Sequence, residues 1–231
     1  SANESTGTIK MDDDSIIAST SNAGLYISKD VTQTITNGNV KSEKSYGIYN
    51  VGTLTLENVN VSSKSSSALY NYGKATFNSG TINSETNYSL YNSGDMIING
   101  GTITGTSYVL YNYQNVEING GTIKSENNYA FYNVSKVTIN GGEIVANKNS
   151  AIHNTSTWGR AGNIVINDGI IKTIDSSSTE AAIYNGSTLT ITGGFVESTG
   201  AYGILTQGTL NIGKDNEELD TTKPIIKGAT Y

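Results

Sequence analysis

Ala68-Leu69-Tyr70-Asn71 is followed at once by Lys74-Ala75-Thr76-Phe77-Asn78-Ser79-Gly80-Thr81-Ile82. The unit returns as Ser89-Leu90-Tyr91-Asn92 with Met96-Ile97-Ile98-Asn99-Gly100-Gly101-Thr102-Ile103. It returns again as Val109-Leu110-Tyr111-Asn112 with Val116-Glu117-Ile118-Asn119-Gly120-Gly121-Thr122-Ile123. Working outward, the Tyr place is held by Tyr49, Tyr70, Tyr91, Tyr111, Tyr132, His153 and Tyr184, in steps of 21, 21, 20, 21, 21 and 31 residues. A second column runs Leu56, Phe77, Ile98, Ile118, Ile139, Ile166, Ile191, Ile212, and a third runs Val40, Val61, Ile82, Ile103, Ile123, Ile144, Ile171, Val196. Three columns in register at this period mean a solenoid.

Each unit holds three short apolar-polar alternations rich in Val, Ile, Thr and Tyr, as in Leu54-Thr55-Leu56 and Val137-Thr138-Ile139. Alternation of period two reads as strand, because successive side chains face opposite sides. No stretch carries a 3.6-residue period, which excludes helical repeats; the leucine-rich spacing is missing, and propeller blades need about twice the length. The expected fold is all-β: a right-handed parallel β-helix of about nine coils of roughly 21 residues, three strands to a coil. Asn-Gly-Gly between the second and third strands predicts a corner that needs positive φ. The Asn after each Tyr marks another corner, and there it should turn inward. An amide both donates and accepts, so stacked asparagines satisfy one another as a ladder.

The coil length, aliphatic stacks and Asn ladders resemble the pectate-lyase-like right-handed β-helix. The Gly-Gly-Thr-Ile and Leu-Tyr-Asn coils resemble adhesin-like repeats in large surface proteins of Gram-positive bacteria. The resemblance spans roughly Thr8 to Ile212. It implies an extracellular, cell-surface segment, but this architecture carries enzymes, adhesins and stalks alike.

The chain has 231 residues and nothing breaks the repeat, so residues 1–231 form one domain, with regular coils over 8–212 and a loop and last strand over 213–231. Residues 1–7 are polar and expected to be loose. Thr8-Ile9-Lys10 reads as the third strand of a coil whose earlier part is absent, and no capping helix is visible, so covalently linked neighbouring sequence is expected at the ends. Six residues are added at Thr155–Gly162, and the corner at Asp175–Glu180 is enlarged; both should protrude.

With 14 basic and 20 acidic residues, the net charge of −6 and the absence of a basic stripe argue against a nucleic-acid partner. No apolar run is long enough to span a membrane. Cysteine is absent, so thiolate metal sites and disulfides are excluded. Asp12-Asp13-Asp14 reads as a solvated turn rather than a Ca²⁺ site, since no further oxygen ligands converge there.

Alternation places Tyr49, Tyr70, Tyr91, Tyr111 and Tyr132 outside, and an inward Asn turns Tyr72, Tyr113, Val51 and Val134 outward beside them. An exposed aromatic face of this length marks a contact site, and Tyr offers a flat apolar face and a hydroxyl to a sugar ring or a protein. The same column read structurally is a stabilising stack. Tyr46, Tyr88, Tyr108, Tyr129 and Tyr202 form a further column, expected to pack at the corner. His153, Trp158 and Arg160, the only arginine, are the one cluster with catalytic residue types. The plainer reading is that His153 replaces Tyr in the stack and Trp158 anchors its loop. No nucleophile-base motif appears, and Asp95 and Glu117 stand one coil apart without the facing geometry paired carboxylates need. The chain is therefore expected to be non-enzymatic, with no metal or cofactor. It should bind an extracellular glycan or a host or partner protein through Tyr49, Tyr70, Tyr72, Tyr91, Tyr111, Tyr113, Tyr132, His153, Trp158 and Arg160. The rivals are a purely structural stalk and a polysaccharide lyase or hydrolase.

Overall fold

A computed structural model describes residues 5–157, 159–174, 180–213 and 224–228. Every regular element among them is a strand. The strands form three parallel sheets of ten, ten and nine members, in which each strand pairs with its counterparts one coil before and one coil after. This is a β-solenoid of about nine turns, and the register of the pairs is the register of the sequence columns. In the first sheet Leu69, Tyr70 and Asn71 lie opposite Leu90, Tyr91 and Asn92, which lie opposite Leu110, Tyr111 and Asn112. In the second sheet Leu56, Phe77 and Ile98 align, and in the third Val61, Ile82 and Ile103.

A slip of one residue would turn every aliphatic side chain to solvent, which fixes this register strongly. Along Leu69–Asn71, Lys74–Phe77 and Gly80–Ser84, the apolar positions are fully buried and the residues between them are not. The core is one continuous column of Ile, Val and Leu in which Phe77 and Phe131 are the largest side chains.

The inward asparagines form the expected ladder. Asn50 Nδ2 donates to Asn71 Oδ1 at 2.7 Å, and the chain of amides continues through Asn92, Asn112, Asn133 and Asn154 to Asn185, each link 2.8–2.9 Å. Thr206 ends it, its Oγ1 accepting from Asn185 at 3.0 Å. At the other end Ile27 holds the rung before Asn50, so Asn50 Oδ1 is buried without a protein donor.

The Asn-Gly-Gly corner has the positive φ expected of it. The positive φ belongs to the second glycine, +75° at Gly101, while a Cβ on Gly100 would lie 2.7 Å from the carbonyl of Asn78 in the coil before. The asparagine itself faces solvent and builds a second ladder. Asn99, Asn119, Asn140 and Asn167 each donate to the preceding member, starting from Asn78, at 2.8–2.9 Å. At the third corner a buried serine closes the turn. The hydroxyls of Ser42, Ser63 and Ser84 each donate to a main-chain carbonyl of the coil before at 2.7 Å and accept the amide three residues on.

Three expectations need correction. Ser5–Lys10 is a strand of the second sheet, paired with Val31–Thr36, so Thr8-Ile9-Lys10 is not a third strand and residues 5–7 are not loose. The third-sheet strand of that coil is Ile16–Ser19. Val134 is completely buried rather than outward, while Val51 is half-buried. The added residues at 155–162 form a two-stranded antiparallel hairpin, Ser156–Thr157 with Arg160–Ala161. Its arginine reaches back onto earlier coils instead of projecting freely. Most of the enlarged corner at 175–180 lies outside the described residues. The expected last strand is present as Ile225–Lys227, and it joins the third sheet beside Phe195–Ser198.

Candidate functional site

The outward position of the first sheet carries one unbroken aromatic stack. Tyr26, Tyr49, Tyr70, Tyr91, Tyr111, Tyr132, His153 and Tyr184 follow in order. Ring centroids are 4.5–5.3 Å apart and planes within 12° of parallel. Parallel in-register strands about 4.8 Å apart impose this spacing, which is also that of stacked rings. Tyr46 leans across Tyr49 and Tyr70, Tyr88 across Tyr91 and Tyr111, and Tyr129 across Tyr132 and His153.

The stack decides what the tyrosines offer. Their flat faces lie against one another, so the row presents ring edges and hydroxyls to solvent. Tyr26, at the end of the row, is the ladder ring that remains 58 % exposed. Burial and the neighbouring phenols push Tyr70 and Tyr111 up to about 12, so both stay neutral at ordinary pH. Burial alone pushes His153 down to about 4. The imidazole is therefore neutral above that pH and serves as a ring in the stack.

Beside the stack, on the corner toward the second sheet, the column Tyr72, Ser93, Tyr113 opens a cavity. Ser93 is small, so the two tyrosines stand two coil spacings apart, about 10 Å. They and Arg160, together with Lys74, Asp95 and Gln114, line an open groove of about 490 Å³ over Gly73 and Gly94. The glycines make the floor because the coils touch there: a Cβ on Gly94 would meet the Gly73 carbonyl at 2.0 Å. Tyr72 is 57 % exposed and Tyr113 half-buried. The Arg160 guanidinium lies 4.3 Å from the centre of the Tyr113 ring. Its Nη1 donates to the Tyr113 carbonyl at 2.8 Å and to Gln114 Oε1 at 3.2 Å. Among the described residues it forms no ion pair. A guanidinium on an aromatic face and held by carbonyls is a fixed fork, ready for a carboxylate or several hydroxyls.

The expected site residues thus divide. Tyr49, Tyr70, Tyr91, Tyr111, Tyr132 and His153 belong to the stack. Tyr72, Tyr113 and Arg160 meet at the cavity. Trp158 lies outside the described residues. His153 and Arg160 do not converge: the imidazole packs on Tyr129, Tyr132 and Tyr184, the guanidinium on Tyr113. Asp95 and Glu117 occupy different strand positions, opposite Asn115 and Ile97 respectively. The sequence reading passed over Tyr26, although Leu25-Tyr26 repeats Leu69-Tyr70, because Ile27 replaces the marker asparagine. Asp12-Asp13-Asp14 makes a turn in which Ser15 N donates to the Asp12 carbonyl at 2.9 Å. Among the described residues no group of three or more acidic, His or Cys side chains is placed to hold a metal ion, and no helix is long and apolar enough to cross a membrane.

No curated protein and no solved structure matches the chain. One family model does, over residues 7–154, which takes in the coils carrying the stack from Tyr26 to His153 and both tyrosines of the cavity. The chain belongs to that family, described as protein of unknown function (DUF3737).

Proposed function

We propose that the chain is a non-catalytic segment of a bacterial cell-surface protein that holds an extracellular glycan or a partner protein at the Tyr72–Tyr113–Arg160 cavity. The observation that carries the reading is an open volume of about 490 Å³ lined by two tyrosines and an arginine that forms no ion pair among the described residues. Preformed concavities with aromatic walls and a few placed polar groups are the usual form of a small-ligand site. The ladder's role is then to hold the site rigid, since its ring faces are already taken. The adhesin-like character of the Leu-Tyr-Asn repeats supports the surface location.

A second reading has its own support. The continuous stack and the double asparagine ladder are what a rigid stalk needs, and a stalk projecting another domain would require no ligand.

A glycan array and a matrix-protein pull-down separate the two, with wild type compared against Tyr72→Ala/Arg160→Ala. The binding reading predicts a ligand for wild type, and loss of at least tenfold affinity in the variant while circular dichroism shows the fold retained. A wild type that binds nothing favours the stalk. Release of reducing ends or unsaturated uronates from a polysaccharide would overturn the non-catalytic part.

A further inference from the structure

We propose that the tyrosine stack is a site of oxidative cross-linking, in which phenols on successive coils couple to dityrosine and tie neighbouring coils covalently in pairs. This goes beyond ligand binding and does not depend on it.

The geometry is that of a radical coupling held before the event. A tyrosyl radical carries spin at the two ring carbons beside the hydroxyl-bearing carbon, in lobes perpendicular to the ring plane. In the stack the planes are nearly parallel, so those lobes are directed toward the neighbouring ring. Tyr70 and Tyr91 lie 4.7 Å apart with planes 7° from parallel, and Tyr91 and Tyr111 5.3 Å apart at 3°. Six consecutive rungs, Tyr26 to Tyr132, repeat the arrangement before His153 interrupts it. Fixed neighbours replace a bimolecular encounter, the effect that gives well-oriented intramolecular reactions their high effective concentration. Tyr49, Tyr70, Tyr91, Tyr111 and Tyr132 are half-buried and Tyr26 is exposed, so every rung keeps part of its ring at the surface. Burial and neighbouring phenols hold Tyr70 and Tyr111 neutral. Each phenol therefore gives up a proton and an electron together.

The chemistry needs hydrogen peroxide and a haem peroxidase as oxidant. Each of two phenols loses a hydrogen atom, and the two hydrogens reduce one peroxide to two waters. The two radicals pair their electrons in a carbon–carbon bond between ring carbons. The hydrogen on each of those carbons then moves to its oxygen, restoring both phenols. The joined rings cannot stay stacked, so one swings outward and each ring takes part in one bridge. A chain without cysteine has no disulfide with which to tie its coils. A bridge between Tyr70 and Tyr91 closes the loop that one coil makes.

The test oxidises the native chain at low protein concentration with peroxide and a haem peroxidase, and maps bridged peptides by mass spectrometry. The same treatment in concentrated urea is the reference. The proposal expects the folded chain to stay monomeric and to form dityrosine at least about tenfold faster than the unfolded chain. Bridges should join adjacent rungs, and the product should unfold at a higher urea concentration. His153→Tyr should add bridges to Tyr132 or Tyr184. Equal rates in folded and unfolded chain, bridges scattered out of register, mainly intermolecular products, or an unchanged unfolding midpoint would each overturn it.

Discussion

Replacing Asn92 by alanine removes a rung from the middle of the inner ladder, and the cost can be built from its contacts. The side chain is fully buried. Its Nδ2 donates to Asn112 Oδ1 at 2.9 Å and reaches the carbonyls of Gly94 and Asn115 at 2.8 and 3.0 Å; its Oδ1 accepts from Asn71 at 2.8 Å. Water does not replace these partners in a closed core. Three or four bonds at about 0.5–1.5 kcal/mol each, plus partly stranded groups on Asn71 and Asn112, give a loss of about 3–5 kcal/mol. Asn99→Ala removes the same chemistry from the outer ladder, two amide bonds of 2.8 and 2.9 Å that face solvent. There water takes over, and the loss should stay under about 1 kcal/mol. For a chain of this size the first substitution lowers the melting temperature by roughly 10 °C and the second by no more than about 4 °C. Circular dichroism during heating and urea titration reads both. Equal losses at Asn92 and Asn99, or a loss at Asn92 below about 1 kcal/mol, would refute the claim that burial, not the ladder pattern, sets the value of these amides.

Tyr91→Ala breaks two stacked contacts, with Tyr70 and Tyr111, and a tilted one with Tyr88. Beyond lost area these amount to about 1.5–4 kcal/mol by urea unfolding, whereas Tyr72→Ala should change stability by less than about 0.5 kcal/mol. His153 makes the fold acid-sensitive. Its folded value of about 4 lies below the unfolded 6.5, so the unfolded chain takes the proton first. Stability should fall as pH drops from about 6.5 to about 4, by on the order of 2 kcal/mol after allowance for partial exposure, and His153→Phe should flatten that part of the pH–stability curve. Gly94→Ala puts a methyl group onto the Gly73 carbonyl and should cost about 2–3 kcal/mol, read as a lower urea midpoint and a loosened Tyr72–Tyr113 cavity.

The columns of the sequence gave away most of the architecture, because a parallel register copies residue spacing directly into space. Leu69 meets Leu90 for the same reason that they stand 21 residues apart. The reading weakened where a landmark was missing. Ser5–Lys10 precedes any Tyr-Asn pair, so nothing in its apolar pattern distinguished a second-sheet strand from a third-sheet one. Asn99 and Asn92 are the same residue type at two corners, and only the path of the chain decides that one faces solvent and the other the core. Val134 sits where Tyr72 and Tyr113 sit, yet it is buried, and an apolar residue after the corner asparagine gives no local sign of which it will be. The arginine was noticed as the only one in the chain, but its partner Tyr113 lies 47 residues earlier. No local spacing encodes a hairpin folding back by two coils. The exposure of the tyrosine column was legible, whereas the use of its ring faces was not: period two says which side a ring is on, and only the stacked geometry says what it touches.

The central claim is a straight pile of coils in strict register, and the absence of cysteine makes it directly measurable. Spin labels on Thr55→Cys/Thr138→Cys and on Thr34→Cys/Thr190→Cys sit on one outward column of the second sheet, four and seven coils apart. Pulsed electron–electron resonance should return backbone separations of about 19 and about 34 Å, growing by about 4.8 Å for each coil. Two distances of similar length, or a broad distribution for either pair, would contradict the stacked solenoid.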